Sequence, residues 1–493
     1  MKKSLFILSM SLLALTGLSS CGESNTTKTI PTPIPGTGDM KAMPVLDGNI
    51  IGDGTNAYEV KGGKYLLKKG TYVMKGWIYV TKGSSLTIEP GTVIKGDKAT
   101  KAALVVEPGA QIYAQGTPDA PIVFTSNQPK GMRKPGDWGG IILCGNARNN
   151  QGTATIEGGL RTKFGGDNDE DNSGVLSYVR IEFAGTPFTP DNEINGLTLG
   201  SVGSKTKLDH IQVSHSNDDS FEWFGGTVNA THLIAYRGWD DDFDTDFGYS
   251  GKVQFALSVR DGRIADGSYS NSFESDNDGS GSTKAPYTSA VFSNVTLIGP
   301  MVNNPDFKNN NTYINADGNA PNNGSKLGLF QSAIQIRRNS HLSIFNSVIA
   351  GWPVGIIIEN DKGSATQGAA TAGELKVQNI LMAQVGIPGT DVNKKLVSVY
   401  STDGGITTDN TKTPFSVEYF LLPANKNKSK ASYSDMKLNA TYMPIAGSPV
   451  LNAASFTDAK LKGLSRVAYA GAFAQGDNWA AKWTNFDPQS TAY

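Results

Sequence analysis

The chain has 493 residues, with 44 Lys and Arg against 45 Asp and Glu, a formal net charge of −1, and two cysteines. That balance excludes the basic surface on which nucleic-acid binding depends, and two cysteines exclude a disulfide-stapled scaffold. A chain of this length can stabilise itself by burying a core.

In chain order, residues 1–20, MKKSLFILSMSLLALTGLSS, have the basic start, short apolar run and small-residue end of a secretory signal. Leu18-Ser19-Ser20-Cys21 resembles a bacterial lipobox, which implies cleavage before Cys21 and its acylation, with the membrane as partner. Loss of Lys2 and Lys3 with the signal leaves 42 basic residues against 45 acidic. Cys144, in GGIILCGNA, reads as a small buried hydrophobe. Residues 21–44, rich in Pro and Thr, read as an extended tether.

From residue 45, short β-rich runs recur between Gly, Asn and Asp clusters, and no long stripe at helical spacing appears, so the fold is expected to be all-β. LTIEPGTVI (86–94) and LVVEPGAQI (104–112) repeat one template at a step of 18 residues. Such in-register repetition at the length of a coil predicts a solenoid, a right-handed parallel β-helix over residues 45–440. Residues 441–493, with Trp479, Trp483 and Phe486, are expected to form a C-terminal cap over the open end. The polar stretch 301–328 is the longest insertion and a candidate flap.

DDSFEWFGG (218–226), DDDFDTDFG (240–248) and SNSFESDND (270–278) align on Phe221, Phe243 and Phe273, and the same frame places Ile194, Ile334 and Ile356 in one apolar column. Side chains alternate along a strand. With the phenylalanines inward, Glu222, Phe224, Asp242, Asp244, Asp246, Glu274 and Asp276 face outward on stacked strands about 4.8 Å apart.

Such crowding needs a cation, protons or an arginine. Calcium takes six to eight oxygens and is the candidate cofactor, held by Glu222, Asp242, Asp244, Asp246, Glu274 and Asp276. Two loops imitate calcium-loop openings without the closing acid, Asp276-Asp278-Ser280-Gly281 and Asp167-Asp169-Asp171. Phe224, Trp239 and Tyr236 could offer an aromatic face to a sugar ring, against the general preference of aromatics for the core. His210 and His232, 22 residues apart, suggest a stacked polar ladder more than a zinc site.

The segments WIYVTKGSSLTIEPGTVIKGD, GTPDAPIVFTSNQP, GDWGGI, WFGGTVNATHLIAYRGWDDDFDTDFGYSGKVQFA and WTNFDPQ resemble a family of Bacteroidetes outer-membrane lipoproteins with a pectin-lyase-like β-helix, from about Trp77 to Asp487. The resemblance implies an outer-membrane location, favouring the surface leaflet, beside a TonB-dependent transporter and its lipoprotein partner. The function expected is capture of a ligand, a glycan, on a calcium-binding flank, or service as an accessory subunit of a nutrient-uptake system. The alternative is a calcium-dependent polysaccharide lyase using Arg337, Asp244 and Glu274. A glycoside hydrolase is a weaker alternative, since acids two apart on a strand lie about 6.5–7 Å from each other. For Arg337 the plainer reading is an ion pair with Asp276 or Glu359.

Overall fold

Register shows how the core is built. Ile78, Leu104, Ile141, Leu197, Phe221, Phe243, Phe273, Ile334 and Ile356 lie opposite one another on successive parallel strands, each at most 1% exposed. The three phenylalanines stack at 5.6 and 5.2 Å, and Phe292 from the facing sheet meets Phe273 edge-on at 4.7 Å. Burying one such ring stabilises the coil by about 2–3 kcal/mol.

The computed structural model describes residues 39–386 and 415–493, apart from residues 157, 190, 191, 303, 315, 317–319 and 322. The signal and Cys21 lie outside the described residues. Among those described, one sheet contains ten parallel strands, one per coil, from Tyr58–Val60 to Val354–Ile358. The other combines two flanks in eighteen strands. Early coils give it two strands each; from Gly174–Glu182 to Val291–Ile298 the two merge, so that Gly174–Glu182 pairs with both Gln111–Gln115 and Ile122–Ser126, and the last coils divide again into Ser343–Phe345 and Val348–Ala350. The result is a right-handed parallel β-helix.

The merged strands bend at Tyr178, His210, His232, Phe255 and Asn294, all with φ between 52° and 62°. Positive φ is costly for such residues, and stacking offsets it. Their rings lie at 4.3 Å (Tyr178–His210), 4.2 Å (His210–His232) and 5.2 Å (His232–Phe255).

Several sequence expectations are corrected here. Ile194 is not in the inward column; Leu197 is, because a hairpin of Pro187–Thr189 and Asn192–Glu193 precedes the strand and delays its start. The folded body begins before residue 45, since Lys41–Ala42 pairs with Lys64–Leu67 and Met43 is buried. Residues 441–493 do not cover the open end. They run back along the flank: Gly471 N–H donates to Asn346 O (2.8 Å), Ser465 N–H to Gln254 Oε1 (2.8 Å) and Asn485 N–H to Gln212 Oε1 (2.8 Å), and Tyr493 reaches Glu182 (2.7 Å). Polar side chains on the flank attract this strap, and Trp479 and Trp483 meet the histidine ladder edge-on. Packing at the far end instead comes from the helix Phe415–Leu421, which buries Val417 and Phe420 and accepts the Ile358 N–H on Ser416 Oγ (2.9 Å).

Candidate functional site: an acidic cleft on the ten-stranded sheet

The outward column beside the buried phenylalanines reads Thr198, Glu222, Asp244, Glu274, Gln335. A second ladder stands at the corner just before these strands. There Asp241 N–H donates to Asp219 Oδ1 (2.8 Å) and Asn271 N–H donates to the Asp241 carboxylate. Coil stacking thus brings oxygens of Asp219, Glu222 and Asp244 within 4.8 Å of one another, and likewise those of Asp218, Asp219 and Asp240.

These acids line a cleft of about 380 Å³ with Asn195, Arg337 and Arg338. A neighbouring cavity of about 310 Å³ shares Asp218, Asp240 and Ser268, and is walled by Gly324, Ser325 and Lys326 of the long insertion. Asn217 holds that wall: its Nδ2 donates to Ser325 Oγ (2.9 Å) and its Oδ1 accepts from Asn323 (3.0 Å). The insertion therefore forms one side of the neighbouring cavity and not of the acidic cleft itself.

Charge is unevenly balanced along the cleft. At one end Arg337 donates to Glu274 and to Asp276 (2.9 Å), while Arg338 joins Asp276 (2.7 Å) to Asp361 (3.1 Å). Burial works against the Arg337 charge, but Glu274 and Asp276 outweigh it and raise its pKa. At the other end burial first, and neighbouring carboxylates second, push Asp219, Asp241 and Asp244 well above the usual carboxylate range. Asp246 is raised by burial and then by Asp276. Asn195 Nδ2 donates to Glu222, yet Asn195 Oδ1 and Asp244 Oδ1 are buried with no hydrogen-bond partner. An orphaned buried acceptor costs about 1–3 kcal/mol.

The structure brings together Glu222, Asp244 and Glu274, and sets other expected residues elsewhere. Asp242 is fully buried, paired to Arg260 (3.0 Å) and accepting from Ser272 Oγ (2.8 Å). The strand begins at Phe243, so alternation does not reach Asp242, and the corner turns it inward. Asp246 and Asp276 stand further along the ladder, with Asp276 held by both arginines. Trp239 is fully buried. Phe224 packs against Phe247 (5.2 Å) and Phe164 (6.4 Å), the latter seated over Gly200, where a Cβ would lie 2.8 Å from the ring. Tyr236 belongs to Asn229–Tyr236 in the other sheet and meets Phe486 at 5.0 Å. These three aromatics form no common sugar platform.

In both calcium-like loops most of the carboxylates are already engaged. Although burial opposes it, the hydroxyls and N–H groups of Ser280 and Ser282 hold Asp278 down at about 2. Asp169 pairs with Arg148, and Asp171 accepts from Asn146 (2.9 Å). His210 and His232 stack as expected, both against Asp209 Oδ1 (2.9 and 2.8 Å). Asp218, Asp219, Asp240, Asp241 and Asn195 were missed as site residues. The available signal is the Asp-Asp pair repeated 22 residues apart, ahead of Phe221 and Phe243.

The family described as a pectate-lyase-like beta helix domain matches residues 59–484. The chain belongs to that family. No curated protein and no solved structure matches it. A pectate-lyase-like fold raises the question of calcium, and the donor set fits that ion. Asp219, Glu222 and Asp244 supply hard oxygen ligands, and the two orphaned acceptors are of the kind a hard cation satisfies.

Proposed function

We propose that this pectate-lyase-like β-helix is a lipid-anchored outer-membrane protein that captures a glycan in its acidic cleft with calcium bound there. Asp219, Glu222 and Asp244 would hold the ion, with Asn195 completing the set. Calcium would neutralise the crowded carboxylates and offer open coordination positions to ligand oxygens. The observation that carries the reading is the convergence of Asp219, Glu222 and Asp244 oxygens within 4.8 Å in a cleft that also holds the buried, unpartnered Asn195 Oδ1 and Asp244 Oδ1, while Arg337 pairs at the opposite end.

Capture is favoured over lyase chemistry by the state of Arg337. An arginine that removes a proton must give up its own, and Glu274 and Asp276 stabilise the charged form. Isothermal calorimetry with calcium is the test. One site of measurable affinity is expected in the native protein, and a large loss after Glu222→Gln with Asp244→Asn; no calcium heat, or equal heats in both proteins, would reject the reading. Anchoring rests on the lipobox-like sequence, and association with a TonB-dependent transporter on the family resemblance. Cys21→Ser should release the protein from the membrane fraction, checked by acyl labelling and fractionation.

A further inference from the structure

The strap formed by residues 441–493 has little structure of its own: it carries no strand, and its helical elements are the single turns Ala459–Leu461 and Pro488–Ser490. Buried amides of the flank hold its backbone instead. Gln212 donates to Asn485 O (2.8 Å) and Gln254 to Ser465 O (2.8 Å), each also accepting the N–H of the same residue, and Asn294 donates to Tyr469 O (2.7 Å). Each neutral hydrogen bond adds little on balance, so the hold is a sum of weak contacts.

Every histidine in the chain lies beside this strap. His210 and His232, stacked at 4.2 Å with both Nδ1 atoms on Asp209, meet Trp483 at 5.6 Å and Trp479 at 5.0 Å edge-on. His215, stacked on Phe183, lines a cavity of about 170 Å³ together with Phe486, Asp487 and Gln489 of the strap; Arg133, Lys134, Arg237 and Asp261 supply its other charges. His341, stacked on Tyr287 at 4.3 Å and 3.6 Å from Glu374, stands in the field of the strap's Lys460. Burial comes first in holding His215, His232 and His341 below the usual histidine range. The positive charge of Arg237, His210 or Lys460 adds to it in turn, while Asp487 and Asp477 of the strap, with Asp209 and Glu374, pull the other way and are outweighed. Tyr178 and Phe255, the other rings of the ladder, are neutral. We infer that the strap is an acid-released latch: protonation of the histidines beneath it favours a form in which residues 441–493 have left the flank. A histidine depressed in the closed form takes up its proton on opening, so the closed form loses ground as pH falls below about 6.5. For His215, held at about 3 when covered, that makes opening about 25-fold easier at pH 5 than at pH 7.

Hydrogen exchange of the full chain, followed by mass spectrometry between pH 7 and pH 5 and corrected for the intrinsic rate, tests this. Peptides containing Ser465, Gly471 and Asn485, whose N–H groups donate to the flank, should lose about tenfold or more in protection and regain it on return to pH 7. Peptides from the coil strands Gly140–Cys144 and Leu197–Val202 should keep theirs. A protein with His215→Phe, His232→Phe and His341→Phe should hold its strap closed across this range; Phe183 and Phe255 already make the bends equivalent to the first two at φ 63° and 62°, and His210 stays on Asp209. Should that protein not fold, His215→Phe and His232→Phe singly should each reduce the loss by about threefold or more. Strap and coil peptides losing protection together, no loss in the native strap, or an equal loss in the variants would overturn the inference, the last by moving the release to Glu182, which Tyr493 contacts at 2.7 Å.

Discussion

Calcium should stabilise the solenoid, and the size of the effect follows from how many coils unfold together. Saturation to 100 times the dissociation constant adds about 2.7 kcal/mol. An unfolding entropy of about 2.1 cal/mol/K per residue, taken over the roughly 430 residues of the matched span, gives about 0.9 kcal/mol/K, so the melting temperature should rise by about 3 °C. If only the acidic coils from Leu197 to Asp276 melt as a unit, roughly 80 residues, the same energy gives about 16 °C. Differential scanning fluorimetry in calcium and in chelator measures the shift. Glu222→Gln with Asp244→Asn should remove most of it and should raise stability in chelator, because repulsion between neighbouring buried carboxylates disappears while shape is kept. Glu274 is left intact in this variant, since its removal would strand Arg337. An unchanged melting temperature on adding calcium, or a full calcium response in the double variant, would refute the reasoning.

Three other perturbations follow from the same geometry. Phe243→Asp places a charge in the stacked column between Phe221 and Phe273 and should unfold the acidic coils, seen as lost protease resistance; a near-native melting curve would contradict the inward register. Arg337→Gln leaves Glu274 and Asp276 short of their partner and should cost about 2–3 kcal/mol at neutral pH in chemical denaturation, partly restored by calcium; a loss below about 0.5 kcal/mol would show that the pair is not structural. His215 is buried on Phe183 at 5.2 Å, and burial, then Arg237, depress its pKa to about 3. A depressed histidine adds stability that is complete above its unfolded value of about 6.5 and is lost as pH falls toward 3. His215→Phe, acceptable at φ 55° because Phe183 holds the equivalent bend at φ 63°, should therefore flatten the acid dependence between pH 6.5 and 4 in urea titrations, and an unchanged slope would discount the histidine.

What could be read in the sequence and what could not divide at the strand ends. Within a strand, alternation has one parameter, and a single correct phenylalanine fixes it. Phe221, Phe243 and Phe273 accordingly placed Glu222, Asp244 and Glu274 on the outer face and Ile334 and Ile356 inside. One residue before the strand the rule lapses. Asp242 has outward parity but turns into the core toward Arg260, whereas Asp241, whose parity points inward, lines the cleft. The chain corners between sheets there, and φ, ψ at a corner are set by neighbouring coils rather than by a period of two.

The same limit explains Ile194 and the aromatic residues. Ile194 sits in a line of apolar residues that aligns plausibly by composition, yet a short hairpin delays its strand, an event that periodicity does not record. Phe224 faces outward as alternation requires, but outward from a sheet is not toward solvent once Phe164 from a distant hairpin lies across it. Cleft identity thus depends on corners and insertions: the Asp-Asp pairs at 218–219 and 240–241 become neighbours because the coil is 22 residues long, and the 324–326 wall bounds the adjoining cavity that Asp218 and Asp240 share. Repeat length makes such corner acids findable. Where one coil length separates two identical acidic dipeptides ahead of an inward aromatic, stacking must superpose them, and the resulting charge then has to be balanced by an arginine, a proton, a metal or the ligand. Arginine serves the Glu274 end here, which is why the proposed calcium and ligand are sought around Asp219, Glu222 and Asp244.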